Sequence, residues 1–403
     1  MTAGSLHYVW QRADWPALHF DVVAASPALT HAWRLMGQVV GMARGIGIEA
    51  LDTIAEELWM QEAVATAAIE GETLDLAAVR SSVLRHLGRD DQGPHIRHVD
   101  GLVEVLQDAL SNIDEPLDAD RLCRWQSALF PGGTDGLRRI AVGRFRDRAD
   151  PMQIVSGRLG KEIVHYTAPP SARVAREMDA FLAWFARTRP RSGPADSMDG
   201  IARAAIAHLW FETIHPFEDG NGRIGRAIAD LALAQCSGTP LRLYSLSRQL
   251  LADRRGYYDA LARAQRGTTD ATAFVQWFAA VFGQACGAAS AVIEASLERS
   301  RFWARPQTHT LNERQRRLLL RLLLAGDGGF LGGLNVEKYL KMTDASKATA
   351  TRDLSDLVRR GLLHASGRGK ALRYHVSVPG WTHGLDVQPE STPSNPNPDE
   401  PLP

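Results

Sequence analysis

Two apolar helical stretches joined by a short glycine-bearing link constrain this chain more than any other feature. "MDGIARAAIAHLWFETI" (198–214) reads as one long apolar helix, and "RIGRAIADLALAQC" (223–236) reads as a second. The link and the head of the second helix spell "HPFEDGNGRIGR", from His215 to Arg226. An Asp-Gly-Asn-Gly run usually makes the tight turn of a β-hairpin. Helical patterns on both sides disfavour that here, so the run is expected to be a loop between helices. A mainly α fold follows.

Gly220 and Gly222 let such a loop bend tightly and bring backbone N–H groups close to a ligand. The helix expected to begin near Arg223 points its positive end at the same spot, which makes an anion site. Arg223 and Arg226 are three apart and share one helix face, where a guanidinium pair suits a polyphosphate. Asp219 is a hard oxygen ligand beside that nest, of the kind Mg²⁺ on a nucleotide takes. His215, four residues earlier, can accept a proton from an attacking hydroxyl when neutral. Each part alone has a bland reading: a structural His-Pro, a turn, a solvated arginine face. In this order they describe nucleotidyl or phosphoryl transfer, with positioning and charge supplying most of the catalysis.

The 403 residues are too many for one ordinary domain. The expected division is an N-terminal helical domain (1–115), a catalytic domain (116–300), a winged helix-turn-helix domain (301–380) and a disordered Pro/Ser/Asn/acid-rich tail (381–403). The 46 basic and 46 acidic side chains cancel, which excludes a generic polyanion binder for the chain as a whole. Residues 312–375 are the exception, with 13 Lys/Arg against 6 Asp/Glu. Cys123, Cys236 and Cys286 are scattered and odd in number, so neither a disulfide framework nor a zinc site is expected, and a reducing cytoplasm fits. The N-terminus lacks the pattern of a signal peptide. The apolar run 271–293 is rich in Ala, Gly and Gln and reads as a buried helix rather than a membrane span.

Residues 1–28, with Trp10, Trp15 and Phe20, read as an extended aromatic arm, and a helix is expected from Ala32 to about Ala43. A second helix ends at Gly71 and a third starts at Thr73. Residues 143–170 read as a hairpin. Glu313–Ala325, Val336–Met342 and Ser346–Arg360 read as helices, followed by a glycine-punctuated hairpin, which is the winged-helix order. The basic excess and helix order suggest DNA contact through "SKATATRDLSDLVRR", with Lys370 and Arg373 in the wing; a protein contact, which many winged helices make, or a merely solvated arginine face is the alternative.

The twelve-residue run resembles the Fic-family signature HPFx(D/E)GNGRxxR at every specified position. "HYTAPP" (His165–Pro170) looks like that family's flap hairpin, and "RRGYYDALARAQRG" looks like its nucleoside-contacting helix. "VWQRADWP" resembles the domain that precedes Fic in many bacterial members. The likeness covers about residues 5–375. It implies a Fic helical core with a small β-hairpin flap, an N-terminal helical domain and a C-terminal winged helix.

The resemblance also implies roles. His215 would be the general base that lets a target Ser, Thr or Tyr hydroxyl attack the α-phosphate of ATP. Asp219 would hold Mg²⁺. Gly220, Asn221 and Gly222 would form the anion hole, with Ile224 and Gly225 in the same nucleotide-binding stretch. Arg223 would bind the β/γ end and Arg226 the γ-phosphate. Tyr257 and Gln265 would line the adenosine site, although Gln265 departs from the Asn of some members. Val164, His165, Tyr166 and Thr167 of the flap would act mainly through backbone. Pro216 is expected to fix a helix end and Phe217 to anchor the loop in the core. A Lys in place of Gly222 accompanies kinase activity in a related group, so Gly222 favours AMP transfer.

"TAAIEG" (Thr66–Gly71) fits the family's inhibitory helix, (S/T)xxxE(G/N). By that resemblance Glu70 pairs with Arg226, with Thr66 and Gly71 completing the motif, and keeps the γ-phosphate from its productive pose. In some members the same glutamate supports removal of AMP. Other readings stay open: a Fic enzyme using UTP or CDP-choline, or a DNA-binding regulator with a nucleotide-sensing core. Expected partners are ATP, an unidentified target protein or the chain itself, DNA, and a second copy that would cover the aromatic arm; no membrane partner is expected.

Overall fold

The structure is a computed structural model that describes residues 8–45, 48–89, 91–135, 138–156, 163–190, 198–238, 242–326, 333–343, 345–379 and 381. The contacts divide the chain into two units, residues 1–293 and 294–403.

The first unit opens with a 3-10 turn at Val9–Gln11, then α1 (Val22–Arg44), α2 (Ile48–Ile69), α3 (Leu76–His86), α4 (Arg97–Ser111) and α5 (Ala119–Leu129). Two short antiparallel pairs follow, β1 (Thr134–Asp135) with β2 (Arg138–Arg139) and β3 (Gln153–Ser156) with β4 (Ile163–Thr167). The order closes with α6 (Ser171–Arg187), α7 (Gly200–Ile214), α8 (Asn221–Ser237), α9 (Leu246–Ala252), α10 (Arg254–Gln265) and α11 (Thr272–Trp303), the last running across the boundary. Carboxylates cap many of these helices: the side chains of Asp21, Asp75, Asp118, Asp199 and Asp253 accept the free N–H groups of a first turn. Those caps correct two expected starts. Asp21 begins α1 at Val22 despite Pro27, well before Ala32, and Asp75 delays α3 to Leu76.

Every residue of α7 is buried, and α7 packs on α8 more extensively than any other pair of elements. The one arginine within α7, Arg203, is satisfied by Thr188, Gln235 and the Phe185 carbonyl. α2 lies against α9 and α3, and its Glu62 is fully buried. Glu62 accepts from the Ser245 hydroxyl at 2.8 Å, from the Ser247 N–H at 3.1 Å and from the Ser247 hydroxyl. Arg242, 3.6 Å from Glu62, joins it to Asp230 of α8 at 2.9 Å. The inhibitory-helix candidate is therefore pinned into the core by a buried polar network.

The aromatic arm packs on its own chain. Tyr8 meets Tyr166 edge-on at 5.0 Å, and the Trp10 indole donates to the Thr167 carbonyl at 2.9 Å. Trp15 donates to Glu177 at 2.7 Å and packs on Trp210. α11 is the one described helix long and apolar enough to cross a membrane by length and composition. Its buried positions, Phe274, Phe278, Phe282, Ala285, Ala289 and Ile293, recur at helical spacing as on a packed face.

The second unit contains α12 (Glu313–Leu324), α13 (Val336–Met342), α14 (Lys347–Arg359) and the antiparallel pair β5 (Leu363–Ser366) and β6 (Arg373–Val376). Phe302, Leu318, Leu322, Tyr339, Leu354 and Leu357 form its core. Residues 382–403, expected to be a disordered tail, and the Lys370 side chain lie outside the described residues.

Candidate active site

α7 ends at His215, the only described residue other than glycine with positive φ, 51°. The left-handed turn there sends the chain back toward α8. Phe217 is fully buried against Phe145 and Phe211, as expected of an anchor. The Asn221 side chain braces this loop, accepting from the Phe217 N–H and donating to the Phe217 carbonyl, both at 2.9 Å. Gly220 has φ +87°, and a Cβ there would also meet the Phe130 ring at 2.9 Å. Gly220 occupies the N-cap of α8 and has no side chain to satisfy the first-turn N–H groups. That leaves an uncapped helix N-terminus, which favours an anion. α8 begins at Asn221, two residues before the expected Arg223, because the Asn221 side chain closes the loop from within the helix.

Sequence reasoning missed Arg146. Its Nε donates to the His215 carbonyl at 2.8 Å, and its Nη2 donates to the Pro169 and Ile214 carbonyls at 2.6 and 3.2 Å. Its own N–H reaches the Pro216 carbonyl at 2.8 Å. One guanidinium thus satisfies the last carbonyls of α7 and ties the end of the β3–β4 hairpin to the loop. Burial lowers its pKa to about 10, so it stays cationic at neutral pH.

The two motif arginines are both engaged from α2. Arg226 is almost fully buried. Its Nε donates to the Thr66 hydroxyl at 2.8 Å, and its Nη2 donates to the Thr66 carbonyl at 3.0 Å and to Glu70 at 2.8 Å. Glu70 Oε1 lies 2.3 Å from where a Cβ on Gly222 would stand, so the carboxylate sits over the mouth of α8. Gly71, with φ +85°, closes α2 by giving its N–H to the Ala68 carbonyl, while the Glu72 N–H reaches Ala67. That turn presents a second acid. Glu72 accepts from Arg223 at 3.3 Å and faces His98 at 3.4 Å. Arg223 also lies over the Phe130 ring and 3.7 Å from Asp219. Glu72 was not foreseen, although "EGE" places it one residue past the helix-ending glycine.

The electrostatics follow from this packing. Burial, with Arg146 adding to it, lowers the His215 pKa to about 4, so the imidazole is neutral at physiological pH. Burial raises the Glu212 carboxyl to about 8 against the pull of Arg226, and Glu70 raises it further. Burial also opposes ionisation of Glu70, but Arg226 and then Arg223 hold it below the ordinary carboxylate value.

Not every expected residue faces the loop's open side. Tyr257 is buried, with its hydroxyl on His208 at 2.9 Å, and Gln265 is buried and donates to the Glu212 carbonyl at 3.2 Å. The ring that faces outward on α10 is the neighbouring Tyr258, whose hydroxyl donates to the Ile69 carbonyl. Ile224 is fully buried, and Gly225 packs under Glu212 and His208, so both serve the α7–α8 contact rather than an anion. On the flap, Val164 and His165 are exposed; Tyr166 is buried and donates to the Thr213 carbonyl at 2.6 Å. The Thr167 carbonyl is taken by Trp10 and the His165 carbonyl by Arg266. Among the described residues no group of three or more His, Cys, Asp or Glu forms a metal cage. Asp219 stands as one partly exposed carboxylate, which fits a cation held mainly by a ligand's phosphates.

An uncapped helix start, a neutral histidine and two arginines held by carboxylates thus meet at one loop of a helical core. Residues 116–233 match the family described as Fic/DOC, so the chain carries a Fic domain. Residues 8–89 match a Domain of unknown function (DUF4172). A protein adenylyltransferase Fic from Nematostella vectensis is 24% identical over 229 residues, covering 56% of this chain and 47% of that protein. A uridine 5′-monophosphate transferase from Xanthomonas campestris is 30% identical over 125 residues, 31% of this chain and 22% of that protein. The chain spans less than half the length of the curated relatives it matches. A solved structure of Fic-1 from C. elegans shares the fold at 22% identity and TM-score 0.50, covering 68% of this chain and 75% of that one.

Proposed function

We propose that this chain is a self-inhibited protein adenylyltransferase, moving AMP from ATP to a Ser, Thr or Tyr hydroxyl of a target protein or of itself. The observation that carries the reading is Glu70, which sits over Gly222 and on Arg226, the two places where the loop would offer itself to a phosphate. A carboxylate there both repels the phosphate and occupies the guanidinium that would bind it.

In the reaction, neutral His215 takes the proton of the target hydroxyl as its oxygen bonds to the α-phosphorus. The bond to the β-phosphate oxygen breaks, and pyrophosphate leaves with the electron pair. The N–H groups at the start of α8 and the Arg223 guanidinium stabilise the phosphate charge. Arg226 takes the γ end once Glu70 is displaced. Asp219 would hold a Mg²⁺ ion that arrives with the nucleotide and neutralises phosphate charge.

The uridylyl transferase among the relatives supports one competing reading, a different donor. Incubating the Glu70→Gly variant with Mg²⁺ and α-labelled ATP, GTP, CTP or UTP in turn separates the two. Label chiefly from ATP is expected; label chiefly from UTP replaces AMP by UMP. The second unit supports a further reading, duplex DNA as a partner. Asp353 and Asp356 of α14 turn inward to Arg314, Tyr339 and Arg360, while Lys347, Thr351, Arg352 and Ser355 face outward. Binding whose affinity does not fall with salt contradicts it.

A further inference from the structure

Beneath the loop lies a carboxyl that the proposed reaction has not used. Glu212 stands three residues before His215, in the last turn of α7, and is almost wholly buried. Its Oε2 lies 3.7 Å from His215 Nδ1. Neither that Nδ1 nor Glu212 Oε1 has a hydrogen-bond partner. Oε2 is the oxygen that faces the ring, while Oε1 lies against Gly225; a buried polar atom left unpartnered is costly unless it finds a partner at some stage of function. The backbone carbonyl of Glu212 also lies within hydrogen-bonding reach of the imidazole; it takes a hydrogen bond from Gln265 as well, and its two lone pairs can serve both.

We infer that Glu212 is a positioning residue for the base. Its carboxylate accepts the Nδ1–H of His215, fixes the tautomer that leaves the Nε2 lone pair free for the target hydroxyl, and stabilises the imidazolium formed when Nε2 takes the proton. The inference rests on the proposed transfer reaction and deepens it. A rotation that closes 3.7 Å to hydrogen-bond length is all it requires, and apo active sites commonly hold such pairs slightly open.

The surroundings couple this pair to the clamp. Arg226 of α8 and Glu70, just past the end of α2, act on Glu212. Tyr257 of α10 and Tyr166 of β4 lie within its field, and Arg146 acts on His215. Glu70 disfavours ionisation of Glu212, so its departure both frees Arg226 and eases loss of the Glu212 proton. Release of the clamp and orientation of the base become one event.

The test compares Glu70→Gly with Glu70→Gly/Glu212→Gln, an isosteric change. Transfer is read as the initial rate with Mg²⁺ and α-labelled ATP across pH, with ATP affinity from calorimetry. The His215 ring is titrated by NMR, its signal assigned by its loss in His215→Ala. The Gln variant is expected to label at least about tenfold more slowly, with ATP affinity unchanged. In the parent the rate rises with pH as Glu212 ionises, and in the Gln variant that rise disappears. The His215 ring is neutral over that range, and in the parent its resonances shift as the neighbouring carboxyl loses its proton; in the Gln variant that shift disappears. An unchanged rate and pH profile with ring resonances that do not move overturn the role of Glu212. A slower rate with ring resonances flat in both proteins and a matching loss of ATP affinity also overturns it, since that marks a purely structural carboxyl. If the parent itself transfers no label, the transfer reading fails on its own, and the ring resonances still decide whether Glu212 governs the imidazole.

Discussion

Replacing Arg146 by alanine removes a single guanidinium that serves three carbonyls, those of Ile214, His215 and Pro169. Hydrogen bonds to a charged group contribute about 1.5–3 kcal/mol each. Three would total roughly 5–9 kcal/mol if independent, but bonds sharing one side chain are not additive and water reaches part of the gap. A loss of about 3–5 kcal/mol, as for breaking other buried charged contacts, is the expected cost. Lysine does not rescue it, because one ammonium cannot reproduce the planar fork. The loss has a functional face too: with two carbonyls at the end of α7 unpaired, the left-handed turn at His215 loosens. Urea unfolding of wild type, Arg146→Ala and Arg146→Lys measures the first effect. Labelling in the Glu70→Gly background under folded conditions measures the second. An alanine variant within about 1 kcal/mol of wild type, labelling at the parent rate, would refute the view that Arg146 holds the loop.

Two further outcomes are expected. Glu72→Ala leaves Arg223 free while Glu70 still holds Arg226, so labelling rises above wild type but stays below Glu70→Gly; an unchanged rate would show that one clamp is sufficient. Stability should fall as pH rises from about 6.5 to 8, because burial raises Glu212 to about 8 and raises Asp230 as well, so both favour the folded state only while protonated. His208 and His215, lowered to about 4, work the opposite way, and their contribution is lost as pH falls below 6.5. Glu212→Gln should therefore flatten the decline on the alkaline side, as read by urea unfolding at several pH values.

The site was legible in the sequence wherever chemistry is packed into consecutive residues. His215, Asp219 and the glycines fall together at the α7–α8 junction, and Thr66 and Glu70 reach Arg226 from 160 and 156 residues away in the chain. Helix spacing carried the mainly α fold, because apolar periodicity is a local signal. What the sequence hid is long-range satisfaction of polar groups. Nothing in "GRFRDRAD" distinguishes Arg146, which braces the loop, from Arg144, which pairs with Asp147 on the surface. Nor could spacing show that Tyr257 faces inward to His208 while Tyr258 faces outward, since adjacent helical positions differ only by which side meets the core. The aromatic arm was visible as an arm, but its partner, the hairpin carrying Tyr166, is set by tertiary packing alone.

In the proposed function the transferase is present and Glu70 holds it off. Wild type, Glu70→Gly and His215→Ala, each mixed with Mg²⁺ and α-labelled ATP, test both parts together. Strong label on protein is expected with Glu70→Gly, weak label with wild type and none with His215→Ala. Equal label in wild type and Glu70→Gly would contradict the clamp, and undiminished label in His215→Ala would contradict the base.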